Sequence, residues 1–413
     1  MNEDFGFSLH RRGTHRLAGR TILQIVPALA EPDADRTAID IAAALAEVGA
    51  RPLVAAPAGR LVSELQAKGG VWLDFPSQAK NPVSMALAAQ RLKTLIAQEQ
   101  IDLVHARSRP ASWVAYAATR ASKLPFVTSL GQVSPGQSII KQQYNSVLAR
   151  GDAVIAGSKF AAATIASPYP ASAANITLVR PGVDTKPFQV DTIMPARVQA
   201  VRRAWNIAPD ERIILLVAKP SIWKGHKVLI EAVQLVVKNG FDDLALVFVG
   251  DAKGTFGREI EQAVRSAEMK SRVHRVADCA DMPAALLAAT VVVVPSIEAE
   301  SFGRVAVEAQ AAGTPVIVSD LGALPETVLA PPDVEAGRRT GWRISPSDPA
   351  LLADALREAL SLGASSRDAL GARRGGKSRI ASPSSAWPAK RWPPTPPCST
   401  AAPPSLNPVE GSA

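Results

Sequence analysis

The chain has 413 residues, is 47% hydrophobic and carries a formal net charge of +9. A chain of this length exceeds one ordinary hydrophobic core, so we expect a globular protein with two domains. Residues 373–413 hold six basic residues and one acidic residue, which leaves only +4 for the rest of the chain, and no nucleic-acid-binding motif accompanies that charge, so the sequence argues against a nucleic-acid-binding protein.

The first half of the chain begins with a basic segment and continues with alternating strands and helices. Residues 1–19 include Arg11, Arg12 and Arg16 and predict a flexible N-terminus. From residue 20 to residue 186, strand-like segments alternate with helical segments such as 38–50 and 84–100. The strand-like segments are TILQIVP, RPLVAAP, VWLDFP, DLVHAR, PFVTSL, AVIAGS and ITLVRPG. This alternation predicts a doubly wound α/β domain.

The second half repeats the same alternation after a short interruption. Residues 187–199, PFQVDTIMPARVQ, lack the strand pattern and are predicted to be a linker. Residues 200–372 then predict a second α/β domain, with the strand-like segments RIILLVAK, ALVFVG, RVHRVA, VVVVPS and PVIVSD. Ligands of such sheets bind beyond the carboxyl ends of the strands, so two facing domains predict a substrate cleft between them.

The C-terminal residues, the two cysteines and the lack of long apolar runs argue against several further classes of protein. Residues 373–413 are rich in proline and lack a periodic apolar face, which predicts a disordered low-complexity tail. Cys279 and Cys398 lie far apart without metal-ligand spacing, which argues against a disulfide framework or a zinc site. Since no run approaches the roughly 20 apolar residues of a membrane span and the first 20 residues lack a secretion signal, we expect a cytoplasmic protein.

One stretch, PSIEAESFGRVAVEAQAAGTPVIVSD at 295–320, places two glutamates eight positions apart, Glu300 and Glu308. The β-branched run 291–294 before it predicts a strand that is buried on both faces of a parallel sheet. Residues 301–303 fall where the next helix should begin, and the first N–H groups of a helix have no partner within the helix. The stretch therefore predicts an anion site at a helix N-terminus.

Two lysines and the lack of a dinucleotide-binding motif indicate which kind of anion would bind at this site. Lys219 and Lys224 lie near the end of the first predicted strand of the second domain, so they should meet the same helix N-terminus and bind a diphosphate. No GxGxxG follows a predicted strand, and VGDAKGTFGR at 249–258 has the wrong spacing. The sequence thus argues against NAD chemistry.

Four segments together resemble the glycosyltransferase family 4 enzymes, also called glycosyl transferases group 1. They are ESFGRVAVEAQAAGTPVIVSD, WKGHKVLIEAV, RPGVD at 180–184 and HARS at 105–108, and the resemblance extends over residues 20–362. It is nearest to bacterial members that build lipopolysaccharide or other surface glycans. The resemblance implies the GT-B fold, in which two Rossmann-like, doubly wound parallel-sheet domains face a cleft.

The same resemblance implies an activity and its partners. Such an enzyme moves a sugar from a nucleotide diphosphate sugar to a glycan or lipid-linked acceptor, with retention at the anomeric carbon. It is expected to need no metal, because the protein itself supports the charge of the leaving group, and no other cofactor; the nucleotide diphosphate sugar is the donor substrate. The implied location is the cytoplasm, with peripheral contact at the inner face of the cytoplasmic membrane.

Residue roles on the donor side follow from the resemblance. It assigns the catalytic positions to Glu300, which faces the donor sugar, to Lys224 of the "KG" motif and to Lys219. Lys219 stands where the family usually has arginine, which keeps the charge and loses the bidentate fork. Glu308 is expected to bind the ribose hydroxyls. The other expected donor-binding residues are Ser301, Phe302, Gly303, Asp281 and Met282.

Acceptor-side candidates are His105, Arg107, Arg109 and Gly131. The histidine is equally compatible with a structural hydrogen bond, and the arginines with ordinary surface residues. Leu130 stands where the family normally has a histidine before the glycine, and the proline-rich tail cannot form the family's closing helix. Two alternatives therefore remain, a non-catalytic or weakened nucleotide-sugar-binding protein and a GT-B nucleotide-sugar epimerase.

Overall fold

The computed structural model describes residues 15–30, 32–130, 138–251 and 254–363. Gly131, Cys398, the predicted tail and most of the predicted N-terminal segment lie outside the described residues. Within these ranges the chain forms two parallel β-sheets, each with helices on both faces, and the predicted GT-B fold class is confirmed.

The first sheet has seven parallel strands in the order β3-β2-β1-β4-β5-β6-β7. Its strands are β1 Thr21–Ile25, β2 Arg51–Ala56, β3 Val71–Asp74, β4 Leu103–Ala106, β5 Phe126–Leu130, β6 Ala153–Ala156 and β7 Ile176–Leu178. Its helices are α1 Pro32–Glu47, α2 Val62–Ala67, α3 Pro82–Gln98, α4 Arg109–Ser122, α5 Ile139–Asn145 and α6 Lys159–Ala166. Each strand-like segment predicted for this half contains one of these strands.

The second sheet has six parallel strands in the order β10-β9-β8-β11-β12-β13. Its strands are β8 Arg212–Val217, β9 Leu244–Val249, β10 Val273–Val276, β11 Val291–Val294, β12 Val316–Ser319 and β13 Trp342–Ile344. Its helices are α7 Pro195–Ala204, α8 His226–Lys238, α9 Thr255–Ser266, α10 Met282–Ala288, α11 Arg304–Ala311 and α12 Pro349–Leu360.

Alternation along β8 explains why helices cover both faces of the second sheet. Successive side chains of a strand point to opposite faces. Ile214 and Leu216 join the apolar cluster formed with α8, α9 and α12, whereas Ile213 and Leu215 join the cluster formed with α7, α10 and α11. All four side chains are almost fully buried, as a two-sided parallel sheet requires.

Two parts of the second domain differ from the simplest sequence pattern. Strand β13 was not predicted, because it has only three residues and carries Arg343 between Trp342 and Ile344. The predicted linker 187–199 contains the first turn of α7, and Ile193 packs in the apolar core of the second domain. The linker is therefore seated on the second sheet.

The strand orders fix where a ligand can bind. In the second sheet the chain order reverses between β8 and β11, and the loops after these two strands open a crevice at their carboxyl ends. In the first sheet the reversal falls between β1 and β4. Across the described residues, no helix is both long enough and apolar enough to cross a bilayer.

Candidate functional site

A glycine brings the two crevice loops of the second domain together. Gly225 follows Lys224 and has a φ of 71°, a conformation that residues with a side chain rarely adopt. A Cβ at this position would lie 1.9 Å from the carbonyl oxygen of Pro295, in the loop after β11. Any larger residue would therefore push the loop after β8 away from the loop after β11.

This close approach makes Lys224 and Glu300 an ion pair. The Lys224 Nζ lies 2.6 Å from Glu300 Oε1, and the Ser296 hydroxyl hydrogen-bonds to the same oxygen. The lysine side chain is 19% exposed and the glutamate side chain 13%, so the pair is only partly accessible. The Trp223 ring lies under the ammonium at 4.2 Å from its centroid, a cation–π distance. Two of the three predicted catalytic residues thus form one unit.

The start of α11 also lines the crevice. Gly303 is the N-cap of α11 and has a φ of 90°, so the turn into the helix requires glycine. Ser301, Phe302 and Gly303 all line the cavity, together with Lys219 and Lys224. The predicted cluster of two lysines and a helix N-terminus is therefore assembled at the switch point.

The cavity has a volume of ≈ 490 Å³ and takes its walls from both domains. The second domain contributes the loops after β8 and β11 and the start of α11. From the first domain, the cavity is lined by Thr37, Arg107, Gly157 and Pro181. The cleft predicted from the two sheet edges is thus present. Apart from Arg107, these first-domain positions were not among the predicted site residues.

Glu308 lies in α11 and is 9% exposed. Its Oε1 accepts a hydrogen bond from Arg304 Nε at 2.7 Å, an (i, i+4) pair on the helix. Arg304 itself lines the cavity, and its Nη1 lies 3.8 Å from Asp40 Oδ2 in α1 of the first domain. Burial raises the pKa of the Asp40 carboxyl, and the charge of Arg304 opposes that rise. Arg304 was not among the predicted site residues, although its four-residue spacing from Glu308 is visible in the sequence.

A second contact joins the two domains beside the cleft. Glu326, in the loop after β12, accepts hydrogen bonds from the backbone N–H groups of Lys159 at 3.0 Å and Phe160 at 2.8 Å. These are the first two residues of α6, whose positive dipole end favours a carboxylate. Arg180 adds a longer ion pair at 3.7 Å.

The expected acceptor-side residues are placed differently from one another. Arg107 lines the cavity. His105 is 2% exposed and its Nε2 is hydrogen-bonded to Ser129 Oγ at 2.8 Å. Burial, with a contribution from the Arg107 charge, lowers the pKa of His105 to about 3, so this histidine is neutral and inside the sheet layer. A direct contact between His105 and an acceptor is not supported by this placement.

Arg109 is not among the cavity-lining residues. It is the first residue of α4, directly after the N-cap Ser108. Burial raises the pKa of Tyr144 and Tyr169, and the charge of Arg109 opposes both rises, which places the guanidinium near these two phenols. Its expected role toward an anionic acceptor stays a prediction.

Asp281 and Met282 also lie outside the cavity lining. Both oxygens of Asp281 are engaged by Arg197, with Nε at 2.8 Å and Nη2 at 2.7 Å, and Asp281 caps α10 through the N–H of Ala284. The hydrogen bonds from Arg197 lower the pKa of Asp281. These contacts tie α7 to α10 and do not support the expected role in donor binding.

Comparison with known proteins gives two family matches. The family described as Glycosyl transferases group 1 matches residues 198–374, and Glycosyltransferase Family 4 matches residues 34–187. A curated relative, D-inositol 3-phosphate glycosyltransferase of Xylanimonas cellulosilytica, is 34% identical over 188 residues, 44% of each chain. D-inositol 3-phosphate glycosyltransferase 1 of Catenulispora acidiphila is 28% identical over 276 residues, 62% of this chain and 63% of the relative. The chain thus spans less than two thirds of the length of these relatives.

Solved structures agree on the fold. A glycosyltransferase from Rickettsia africae superimposes with a TM-score of 0.76 at 27% identity, covering 86% of this chain and 92% of that one. Anabaena HepE in complex with UDP-glucose gives a TM-score of 0.74 at 22% identity, covering 88% and 97%. The second likeness is one of fold alone. In both structures the matched region includes most of the two-domain architecture.

Proposed function

The chain belongs to the glycosyl transferases group 1 and glycosyltransferase family 4 proteins, and we propose that it transfers a sugar from a nucleoside diphosphate sugar to a hydroxyl group of an acceptor. The observation that carries this proposal is the crevice at the β8/β11 switch point, where Lys219, Lys224 and the start of α11 line one cavity. Two ammonium groups and a helix N-terminus suit a diphosphate.

Lys224 is the residue proposed to stabilise the departing diphosphate. An ammonium group has three N–H donors, so Lys224 can keep Glu300 and donate to a phosphate oxygen at the same time. As the bond between the anomeric carbon and the diphosphate breaks, negative charge grows on that oxygen. One such contact is worth about 3 kcal/mol in the transition state, roughly a hundredfold in rate.

We expect retention at the anomeric carbon without a protein nucleophile. Glu300 Oε1 is already held by Lys224 and Ser296, which lowers the reactivity of this carboxylate toward carbon. The acceptor oxygen would instead attack from the side of the leaving group. A new bond forms between that oxygen and the anomeric carbon, the old carbon–oxygen bond breaks, and the acceptor proton passes to the departing phosphate oxygen.

Metal independence is part of the proposal. Across the residues that the structure describes, no group of three or more histidine, cysteine or carboxylate side chains is placed to hold a metal ion. The lysines would supply the positive charge that a divalent ion supplies elsewhere. Transfer that persists in EDTA is the expected result, and full dependence on magnesium would contradict it.

The acceptor proposed first is a phosphorylated polyol. The curated relatives act, by their names, on D-inositol 3-phosphate. Arg107 lines the cavity from the first domain, whereas the donor lysines line it from the second, so Arg107 could bind an acceptor anion. A lipid-linked glycan of the bacterial surface type, including lipopolysaccharide, is proposed as the second acceptor class.

Leu130 favours a second candidate function. It ends β5 at the position where the family's histidine is expected, so the chain could bind a nucleotide sugar without transferring it. A nucleotide-sugar epimerase would need the donor site alone.

The test is a transfer assay with radiolabelled UDP-, GDP- and ADP-sugars, first selected by thermal shift because a bound donor raises the melting temperature. The selected donor is incubated alone, with inositol phosphate and with a lipid-linked glycan. We expect label in an acceptor only when the acceptor is present. Conversion of the donor alone indicates the epimerase, whereas binding without any transfer indicates the non-catalytic protein.

A further inference from the structure

Arg304 occupies a helix position where a positive charge is unfavourable. It is the first residue of α11, and the dipole of a helix is positive at that end. The order of the pair is also the weaker one, since an acidic residue followed by a basic residue at (i, i+4) is preferred. Local helix stability therefore does not explain an arginine at this position.

The contacts of Arg304 join two functional surfaces. Its Nε holds Glu308 at 2.7 Å, and its Nη1 lies 3.8 Å from Asp40 in the other domain. The arginine side chain is 18% exposed, so it lies mostly within the domain interface. One side chain thus connects the carboxylate expected to bind the donor ribose with helix α1 of the first domain.

Helices α1 and α2 form a charged network that includes Asp40, the partner of this arginine. Asp40 has Lys68 at 3.9 Å, and Glu64 pairs with Arg36 at 3.2 Å and with Lys68 at 3.1 Å. Those pairs stay inside the first domain, whereas the Asp40–Arg304 pair crosses the cleft. Thr37, one turn before Asp40 on α1, lines the cavity. A shift of α1 relative to α11 would therefore change the cavity wall directly.

We propose that Arg304 is a positioning residue that couples donor binding to domain closure: it orients Glu308 in the second domain and draws α1 of the first domain over the loaded donor through Asp40. This inference rests on the proposed donor site. The Arg304–Asp40 separation of 3.8 Å leaves room for a direct hydrogen bond to form when the cleft tightens. The contact with Glu308 serves donor binding and the contact with Asp40 serves domain closure, so the two effects can be tested separately.

The test is a double-mutant cycle with Arg304→Gln and Asp40→Asn. The probe is whichever of UDP, GDP and ADP gives the largest thermal shift. Its dissociation constant is measured by calorimetry, kcat and KM by transfer, and the radius of gyration by small-angle scattering with and without the nucleotide. Glu64→Gln is the matched control, because it removes a carboxylate from the same network, and the ion pairs of Glu64 with Arg36 and Lys68 lie within the first domain.

Asp40→Asn should bind the nucleotide within about threefold of wild type, lose roughly tenfold in kcat and lose the nucleotide-induced contraction. Arg304→Gln should lose roughly tenfold in affinity as well, because Glu308 is no longer oriented. The double variant should match Arg304→Gln in kcat, and Glu64→Gln should match wild type. Arg304→Lys should restore part of the contraction but little of the affinity, since a lysine lacks the fork that reaches both carboxylates.

Two results would overturn the inference while leaving the proposed function intact. One is wild-type kcat and contraction in Asp40→Asn. The other is a double variant whose loss in kcat equals the product of the two single losses, which would mean that the residues act independently. If the wild-type protein binds none of the three nucleotides, the proposed function itself fails.

Discussion

A buried histidine beside the donor crevice makes stability depend on pH in a way that can be calculated. His226 is the first residue of α8 and is fully buried, with ring centroids 5.1 Å from Phe248 and 6.0 Å from Phe256. Within the described part of the chain, neither ring nitrogen has a hydrogen-bond partner. Burial, assisted by the charge of Lys224, lowers the pKa of His226 to about 4. The folded protein therefore keeps this ring neutral.

The lowered pKa of His226 determines how the free energy of unfolding changes with pH. The unfolded chain has an ordinary histidine pKa of about 6.5, so it binds a proton at pH values where the folded protein does not. The free energy of unfolding therefore decreases as the pH falls below about 6.5, and this decrease continues until the pH reaches about 4. Between pH 7 and pH 5 the loss from His226 is about 2 kcal/mol. His105, whose pKa is lowered to about 3, adds a similar loss.

The perturbation is His226→Phe, which keeps an aromatic ring and removes the titratable group. Urea unfolding at pH 7, 6 and 5 should show that the variant loses about 2 kcal/mol less than wild type over this range. Phe248→Leu is the control, because it weakens the same packing without removing a proton site. Its free energy of unfolding should therefore be lower than that of wild type by the same amount at every pH. Identical pH dependence in His226→Phe and wild type would refute the argument.

Three further variants test other parts of the site. Gly225→Ala should lower kcat at least tenfold and stability by about 1–3 kcal/mol, because its Cβ would meet the Pro295 carbonyl; unchanged kinetics would show that the two loops can separate freely. Glu308→Gln should weaken nucleoside diphosphate binding about ten- to hundredfold with little change in melting temperature, and a 2′,3′-dideoxy nucleotide should bind variant and wild type alike. Glu326→Gln should weaken the contact with α6 by about 1–2 kcal/mol and give a larger radius of gyration in scattering; the wild-type radius would show that this contact does not hold the domains together.

Most of the fold could be predicted because most of its strands are runs of apolar, often β-branched residues. The run 291–294 is entirely valine and is buried, so one segment of sequence specifies a central strand. Strand β13 carries no such mark: three residues, one of them Arg343, pair at the edge of the sheet next to β12. Its position depends on Trp342, which is buried and donates to Glu358 at 2.7 Å. That contact comes from a later helix and is invisible in the local pattern.

The donor side of the site could be predicted because its residues follow strand ends. Lys224 and Glu300 come after β8 and β11, which are neighbours at the switch point, so topology alone brings them together. The contact between Arg304 and Asp40 has no comparable signal, since the two residues belong to different domains. His105 was ambiguous for another reason: a strand pattern does not reveal which side of the sheet a neighbouring helix covers.

The central claim is that Lys224 supports the departing diphosphate in a sugar transfer. The most direct measurement compares Lys224→Ala with Lys227→Ala, which removes an exposed lysine of α8 paired with Glu259. Initial rates of transfer and calorimetric affinities for the nucleoside diphosphate are measured for both. We predict that Lys224→Ala lowers kcat roughly a hundredfold while the affinity falls less than tenfold, and that Lys227→Ala matches wild type in both. Equal losses of kcat and affinity in Lys224→Ala would contradict the account.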